Sequence, residues 1–286
     1  MTETGSLRGK TLIISGGSRG IGEAVAIRAA RDGANIALLA KTAEPHPKLP
    51  GTIYTAAAAI EEAGGRALPI VGDVRDDESV AGAVAQTVER FGGIDIVVNN
   101  ASAIDLTATD DIPMKKYDLM QDINARGTFA LSKVAIEHLR KSENPHILTF
   151  SPPVDLAPEW FDQVGAAYTV SKFGMTILTL GFARELAADG IAANTLWPRT
   201  SIATAAVRNL LSEEMLRGAR SADIMSDAAY AVLTKPAAEF TGRCLIDDDV
   251  LAAEGITDFE PYRAEPGTGP LELDFWMRWP DRSPGR

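Results

Sequence analysis

The sequence is poor in cysteine, in long apolar runs and in positive charge, and each shortage excludes a class of protein. The one cysteine, Cys244, excludes an internal disulfide and suits a reducing compartment. The start of the chain, MTETGSLRGK, lacks an apolar segment of signal-peptide length, and the longest apolar stretch, residues 173–183, is too short to cross a bilayer. We therefore expect a cytoplasmic protein without membrane insertion.

Positive charge and histidine are both scarce. Lysine and arginine number 28 against 39 aspartates and glutamates, which gives a formal net charge of −11. That charge repels nucleic acid phosphates and anionic membrane surfaces, so nucleic acid is not an expected partner. The histidines His46, His138 and His146 are scattered, without a HExxH pattern or cysteine neighbours, so the sequence predicts no metal site.

Short apolar runs alternate along the chain with segments of helical periodicity. With 286 residues and 45% hydrophobic content, the chain is long enough for a substantial core. The alternation predicts an α/β fold: a single doubly wound Rossmann-type domain with a seven-stranded parallel sheet. The predicted strands are residues 11–15, 35–40, 66–71, 94–98, 146–150, 192–196 and 244–246.

The predicted helices lie between these strands, and most end at glycine or Asp-Gly stop signals. Residues 41–51 are rich in proline and predict a loop, and the last 35 residues or so predict an irregular tail. We interpret Asp76-Asp77 as a helix start and Asp247 to Asp249 as a solvated turn. The predicted helices include residues 21–32, 52–63, 78–91, 114–140 and 168–188.

Three glycines follow the first predicted strand in the spacing Gly16-x-x-x-Gly20-x-Gly22 and open the first predicted helix. Without a Cβ atom there, the backbone can approach a pyrophosphate, and the helix N-terminus offers free N–H groups to the anion. The motif therefore predicts a dinucleotide site. The alternative is a tight glycine turn without a ligand.

The end of the second predicted strand indicates which dinucleotide binds. A fold that selects NAD usually presents an acidic residue there to the ribose 2′-hydroxyl, whereas this chain has Ala40 and Lys41. Arg19 and Lys41 can converge on the 2′-phosphate of NADP, with no carboxylate there to repel it. The sequence predicts NADP (NADPH) as the cofactor; the alternative is that Lys41 is a solvated loop lysine.

Tyr168 and Lys172 stand four residues apart in YTVSK, which places both side chains on one face of a helix. A neighbouring cation stabilises phenolate over phenol, so we expect the pKa of Tyr168 to fall toward working pH and its hydroxyl to exchange a proton. The alternative is a surface pair without chemistry. The glycine motif upstream favours the acid–base pair.

From about residue 7 to residue 251 the sequence resembles the short-chain dehydrogenase/reductase family. The resemblance implies that Asp73 borders the adenine and that Asn124 holds a proton-relay water, while Ser102 replaces the glycine of the family's NNAG motif. The residues that match family motifs are Gly16, Gly20, Gly22, Asp73, Asn99, Asn100, Ala101, Asn124, Tyr168 and Lys172. The cofactor-binding residues expected from motif and resemblance together are Gly16, Ser18, Arg19, Gly20, Ile21, Gly22, Lys41, Asp73, Val74, Asn100, Ala101, Tyr168, Lys172 and Pro198.

Within the family, the sequence resembles most the dehydrogenase part of one branch whose members carry an additional sterol-carrier domain. The segments KTAEPHPKLPGTIYTAA and FGGIDIVVNNASAI, the SPP after the fifth predicted strand, and LWPRT carry that resemblance. We expect the sterol-carrier domain to be absent here, because the sequence ends after a short tail.

The sequence departs from the family pattern at two points. The position of the usual catalytic serine falls on Pro152, which has no donor, so either the preceding Ser151 contacts the substrate oxygen or Tyr168 holds that oxygen alone. Arg199 follows Pro198 where the family has glycine. We interpret Arg199 as a structural salt bridge or a cofactor phosphate contact in preference to a substrate ligand.

The resemblance implies an NADP(H)-dependent oxidoreductase that interconverts a carbonyl and a secondary alcohol. Tyr168 is then the acid or base, Lys172 lowers its pKa and binds the nicotinamide ribose, Asn124 anchors the relay water, and Ser151 is a provisional oxygen ligand. The alternative is an NADP-binding regulatory or scaffold protein with weak catalysis, because Pro152 occupies the serine position.

Aromatic and aliphatic residues around the predicted site suggest a hydrophobic substrate, although packing against the tail explains them as well. These residues are Val154, Leu156, Trp160, Phe161 and Trp197.

We expect a domain over residues 1–251 and a tail over residues 252–286 that packs on it or on a neighbouring subunit. The predicted helices 114–140 and 168–188 carry more apolar surface than one sheet face covers, which predicts a homodimer or homotetramer. The tail aromatics Phe275, Trp276 and Trp279 are expected to contribute to assembly or to close the pocket.

Overall fold

The computed structural model describes residues 5–45, 50–204, 217–267 and 269–280. The predictions for His46 and for residues 281–286 of the tail therefore lie outside the described chain. Within it, strands and helices alternate as the hydrophobic pattern predicts.

The strands form one parallel sheet whose bounds lie close to the predicted ones. They are β1 (Thr11–Ser15), β2 (Asn35–Ala40), β3 (Arg66–Val71), β4 (Ile96–Asn99), β5 (His146–Thr149), β6 (Ala192–Trp197) and β7 (Cys244–Ile246). Their order in the seven-stranded sheet is β3-β2-β1-β4-β5-β6-β7. The chain switches direction between β1 and β4, which confirms the doubly wound Rossmann-type α/β fold and places a crevice at the carboxyl ends of these strands.

Helices cover both faces of the sheet. They are α1 (Gly20–Ala30), α2 (Ile53–Glu62), α3 (Asp77–Phe91), α4 (Met114–Met120), α5 (Gly127–Leu139), α6 (Glu159–Gln163), α7 (Ala166–Glu185), α8 (Asp223–Leu233) and α9 (Asp247–Ala253). The single helix predicted over residues 114–140 is divided, because a π-helical turn, Gln121–Arg126, separates α4 from α5. The start of α3 confirms the interpretation of Asp76, whose side chain accepts hydrogen bonds from the first N–H groups of the helix.

Successive side chains of β1 point to opposite faces of the sheet and pack into two different cores. Leu12 and Ile14 pack into the core on one face of the sheet, and Ile13 packs into the core on the other face. A third apolar cluster, which includes Tyr168 and Trp197, also contains tail residues such as Trp276. The tail is thus part of the packed structure near the carboxyl end of β6.

Residues 269–280 form what we call the C-terminal segment, which lies against the loop after β6. Thr200 and Leu273 form an antiparallel bridge, and the Asp274 N–H donates to the carbonyl of Arg199 at 2.9 Å. Trp276 is 3% exposed. The C-terminal segment therefore covers the crevice side of β6.

The acidic run at the start of α9 is not the solvated turn that the sequence suggested. Asp247 is fully buried, and its Oδ1 accepts hydrogen bonds from the N–H groups of Arg199 and Asp248. Asp248 and Asp249 form ion pairs with Arg199 at 2.7 Å and 2.6 Å. Burial raises the pKa of Asp247 to about 7. The interpretation was wrong for Asp247 and Asp248, which are buried beside Arg199, whereas Asp249 stays exposed.

Candidate active site

The glycine motif forms one wall of a cavity of about 400 Å³ at the switch point between β1 and β4. Gly16 has a positive φ of 70°, and a Cβ atom there would lie 2.8 Å from the Ala101 Cα atom. A Cβ atom on Gly22 would lie 2.5 Å from the Asn100 Nδ2 atom. That amide donates to the Gly16 carbonyl at 2.9 Å and so fixes the loop. The backbone here leaves the open cradle that a pyrophosphate requires.

This cavity, which we call the cofactor cavity, brings together most of the predicted cofactor-binding residues. Gly22 is placed behind the loop wall, against Asn100, and does not line the cavity. The predicted residues that line it are Gly16, Ser18, Arg19, Gly20, Ile21, Lys41, Asp73, Val74, Asn100 and Ala101.

Lys41 reaches the cofactor cavity, but a carboxylate accompanies it. Its Nζ atom lies 3.0 Å from Asp73 Oδ2, and Arg75 Nη2 lies 2.6 Å from the same oxygen. The Arg75 guanidinium holds the pKa of Asp73 well below its usual value, so Asp73 is charged. The expectation that no carboxylate stands beside Lys41 was wrong, because Asp73 follows the neighbouring strand β3. Among the described residues that line the cavity, the two cations Arg19 and Lys41 still outnumber the one carboxylate, Asp73.

Tyr168 and Lys172 line a second cavity of about 200 Å³, which we call the catalytic cavity. Pro198 also lines it. The two cavities are adjacent, because Ile21, Asn100, Ser102 and Thr204 line both. A ligand that occupies the cofactor cavity can therefore extend to the acid–base pair.

Tyr168 is buried, with 4% of its surface exposed, and its ring stacks on that of Trp276 with a centroid distance of 5.9 Å. Burial and the nearby charge of Asp274 raise the pKa of Tyr168 well above its ordinary value, and a hydrogen bond with Ser102 opposes them. The expected fall of this pKa toward working pH was therefore wrong, because desolvation of the buried phenol favours its neutral form.

Lys172 is also buried, and neutral groups hold its ammonium. Nζ donates to the carbonyl of Phe150 at 2.6 Å and lies 4.9 Å from the ring centroid of Trp197. Burial lowers the pKa of Lys172 to about 7, and the charge of Asp274 acts in the opposite direction. The buried environment therefore favours loss of the Lys172 proton.

Asn124 lies in the π-helical turn and connects two elements of the site. Its Oδ1 accepts from the Ala103 N–H at 2.7 Å, and its Nδ2 donates to the Ala103 carbonyl at 2.9 Å and to Ser171 Oγ at 2.8 Å. These bonds join the loop after β4 to α7, next to Lys172. Asn124 does not itself line the catalytic cavity.

The Ser151 side chain points into the protein interior and not into the catalytic cavity. It is fully buried, and its Oγ accepts a hydrogen bond from Thr176 Oγ1 at 2.8 Å. Neither Ser151 nor Pro152 lines the catalytic cavity, whereas Ser102 does. Ser102 was not proposed from the sequence as a site residue, although its departure from the NNAG motif was the available signal.

Arg199 turns away from both cavities. Besides its ion pairs with Asp248 and Asp249, its Nη1 donates to the carbonyl of Arg278 at 3.0 Å. This geometry agrees with the structural interpretation of Arg199, and its guanidinium anchors the C-terminal segment.

The predicted apolar pocket residues separate into two groups. Trp197 lines the catalytic cavity, and Trp160 packs in the same apolar cluster. Val154, Leu156 and Phe161 are exposed and do not line it. Phe275, one of the tail aromatics expected to contribute to assembly or to close the pocket, also lines it. The sequence analysis did not identify four other apolar residues of the lining: Ile104, Phe150, Ile202 and Met225.

The sequence reasoning also missed Asp274, which lines the catalytic cavity from the C-terminal segment. Glu272 precedes it by two residues in LELDFWM, so no local pattern marks Asp274 as the acid that reaches the cavity. In the described ranges, no cluster of histidine, cysteine and acidic side chains could hold a metal ion. No helix in the same ranges has the length and apolarity to span a membrane.

Known proteins match this chain along most of its length. A family model described as short chain dehydrogenase matches residues 10–215. Hydroxysteroid dehydrogenase-like protein 2 of Danio rerio is 56% identical over 277 residues, which cover 97% of this chain and 66% of the relative. The human protein of that name is 51% identical over the same length, which is 65% of its own chain. The chain thus spans about two thirds of the length of these curated relatives.

Solved structures agree with this similarity. The crystal structure of a short chain dehydrogenase from Mycobacterium thermoresistibile has a TM-score of 0.90 and 57% identity to this chain, with 96% of each chain covered. A more distant structure, an NADH-dependent reductase A1-R′ complexed with NAD, has a TM-score of 0.68 and 26% identity, with 84% of this chain and 95% of that chain covered.

Proposed function

Because the chain belongs to the short-chain dehydrogenase family, we propose that it is an NADP(H)-dependent oxidoreductase that interconverts a carbonyl compound and a secondary alcohol. The observation that carries this proposal is the adjacency of the two cavities, which brings the glycine cradle next to Tyr168 and Lys172. A nicotinamide cofactor supplies the redox chemistry when it is bound, and the protein supplies position and protons.

The choice of NADP rests on charge. Arg19 and Lys41 both line the cofactor cavity, and Arg75 neutralises Asp73 from the other side. A 2′-phosphate placed beside Lys41 gains a charge-assisted contact. We propose the cofactor-binding residues named above as its contacts, with Gly22 acting through the shape of the loop.

We propose roles for Tyr168, Lys172 and Ser102, which line the catalytic cavity, and for Asn124 behind it. Tyr168 exchanges a proton with the substrate oxygen, and Lys172, when charged, stabilises the phenolate that this exchange leaves. Asn124 joins the loop after β4 to α7 and is the proposed anchor of the relay water. We assign the contact to the substrate oxygen to Ser102 in place of Ser151, because Ser102 lines the catalytic cavity together with Tyr168 and Ser151 does not.

We propose a hydrophobic substrate with a reacting carbonyl or hydroxyl group. The name of the Danio rerio relative contains hydroxysteroid dehydrogenase, and most of the catalytic cavity lining here is apolar or aromatic. We also propose a homodimer or homotetramer and a reducing, cytoplasmic location; the single cysteine supports the location.

The decisive variant is Tyr168→Phe, which removes the hydroxyl and keeps the ring. We expect it to abolish turnover of NADPH with a panel of hydrophobic ketones while cofactor affinity stays within a few-fold, because the phenol acts on the substrate oxygen. Tyr54→Phe, at an exposed tyrosine of α2, is the matched control. Wild-type turnover that survives in Tyr168→Phe contradicts the acid–base assignment.

The same panel decides the alternative, a cofactor-responsive binding protein with weak catalysis. One observation favours it: neither Ser151 nor Pro152 presents a donor to the catalytic cavity. Wild-type protein that binds NADPH but turns over no compound of the panel supports that alternative.

A further inference from the structure

The C-terminal segment brings an acidic residue into the catalytic cavity. Asp274 and Phe275 line it together with Tyr168 and Lys172. Among the described residues of the lining, Tyr168, Lys172 and Asp274 are the three with ionisable side chains. The charge of the cavity therefore depends on this trio.

Several contacts fix the position of Asp274. Its N–H donates to the Arg199 carbonyl at 2.9 Å, and its Oδ1 accepts from the Phe275 N–H at 2.8 Å. Trp197 Nε1 donates to the Phe275 carbonyl at 3.1 Å. Trp276 has a φ of 62°, which a large side chain rarely adopts. Such strain persists where surrounding contacts over-determine the backbone, and it is frequent at functional sites.

The charge of Asp274 complements that of Lys172. A buried ammonium held by a carbonyl and an aromatic ring loses its proton more easily than one beside a carboxylate. Desolvation of the partly buried carboxyl and the charge of Asp247 raise the pKa of Asp274 to about 7, and Lys172 lowers it. The charges that act on Asp274 come from Lys172 on α7 and Asp247 on α9, and the neutral phenol of Tyr168 is the other titratable group beside it.

We propose that Asp274 is a positioning residue of the oxidoreductase site: its carboxylate balances the buried ammonium of Lys172 and so sets the pH range in which Tyr168 can exchange its proton. The inference rests on the proposed function for its catalytic consequence. The charge interaction between Asp274 and Lys172 is a property of the folded protein and is measurable without a substrate.

The substrate-free test compares thermal unfolding of wild type and Asp274→Asn as a function of pH. The amide keeps an acceptor for the Phe275 N–H and removes the charge. Because the pKa of Asp274 is raised on folding, from 3.8 to about 7, the wild type loses stability as pH rises through that interval. We expect the difference in Tm between Asp274→Asn and the wild type to increase from about pH 4 to about pH 7 and to stay constant at higher pH.

Glu272→Gln is the matched control, since it removes a carboxylate from an exposed position on the same segment. The Tm of Glu272→Gln is expected to change with pH in parallel with the wild-type Tm. Asp274→Asn measures the pH interval over which Asp274 titrates, and Lys172→Met measures its coupling to the ammonium. In Lys172→Met the loss of stability must extend to higher pH than in the wild type, and an unchanged interval overturns the proposal.

The catalytic test is the pH profile of kcat/KM on a compound from the ketone panel. Without the carboxylate, Lys172 loses its proton at lower pH, so the basic limb in Asp274→Asn is expected to move down by about one pH unit. Asp274→Glu is expected to restore it. A lower rate with an unmoved limb indicates a merely structural role and overturns the proposal. If the wild type turns over no compound of the panel, the proposed function is refuted. The pH dependence of unfolding still tests the charge balance between Asp274 and Lys172.

Discussion

At the scale of single residues, the net charge beside Lys41 in the cofactor cavity depends on neighbours that the fold brings together. Lys41 carries the positive charge that suits a 2′-phosphate, yet it lies 3.0 Å from Asp73, which Arg75 holds in its charged form. Lys41 is 60% exposed in its side chain, so its ion pair with Asp73 is screened and easily exchanged for a phosphate contact.

Cofactor preference follows from this balance. We expect NADPH to bind more tightly than NADH by about 1 to 3 kcal/mol, and Lys41→Ala to remove much of that preference. Isothermal titration with both cofactors measures it. Lys141→Ala removes an exposed lysine beyond the end of α5 and is expected to leave the preference intact. Equal affinities for the two cofactors in the wild type contradict the prediction.

At the scale of elements, the junction of β1 and α1 depends on the absence of side chains. Gly22 lies in α1 and packs against the Asn100 amide that holds the loop. The same amide donates to the Ser15 carbonyl at 3.1 Å, so it joins the ends of β1 and β4. Displacing Asn100 therefore disturbs the cradle and its link to the catalytic cavity together.

Gly22→Ala tests this dependence. A Cβ atom 2.5 Å from Asn100 Nδ2 forces the amide away, so we expect NADPH affinity to fall at least tenfold, about 1.4 kcal/mol, together with a lower Tm. Gly82→Ala is the matched control in α3, where a Cβ atom meets its nearest neighbour at 4.0 Å. It is expected to add about 0.5 to 1 kcal/mol of stability without changing affinity. Unchanged NADPH binding in Gly22→Ala argues against the cradle.

At the scale of the whole molecule, α5 and α7 present apolar side chains that the described chain leaves exposed. Ile177 is 62% exposed and Val170 is 53% exposed on α7, and Phe129 is 43% exposed on α5. An apolar surface shared by two adjacent helices favours burial against a symmetric copy. The prediction of a homodimer or homotetramer rests on this surface.

Ile177→Glu is expected to shift the assembly to smaller species, because a buried unpaired carboxylate at the interface is strongly unfavourable. Light scattering measures the mass. Leu156→Glu, at a position that is 69% exposed in the loop before α6, is expected to leave the mass unchanged. A wild-type protein that is monomeric contradicts the predicted assembly outright.

Sequence by itself determined the parallel sheet, the glycine cradle and the Tyr168–Lys172 pair, because hydrophobic period and residue spacing act over a few neighbouring positions. Tertiary structure alone decided the charges in the site. Asp274 joins Lys172 in the lining of the catalytic cavity from the distant C-terminal segment, and buried Asp247 accepts a hydrogen bond from the Arg199 N–H. Desolvation then raises the pKa of Tyr168 and lowers that of Lys172. Burial and long-range pairing depend on how the whole chain packs, and a local pattern carries no information about them.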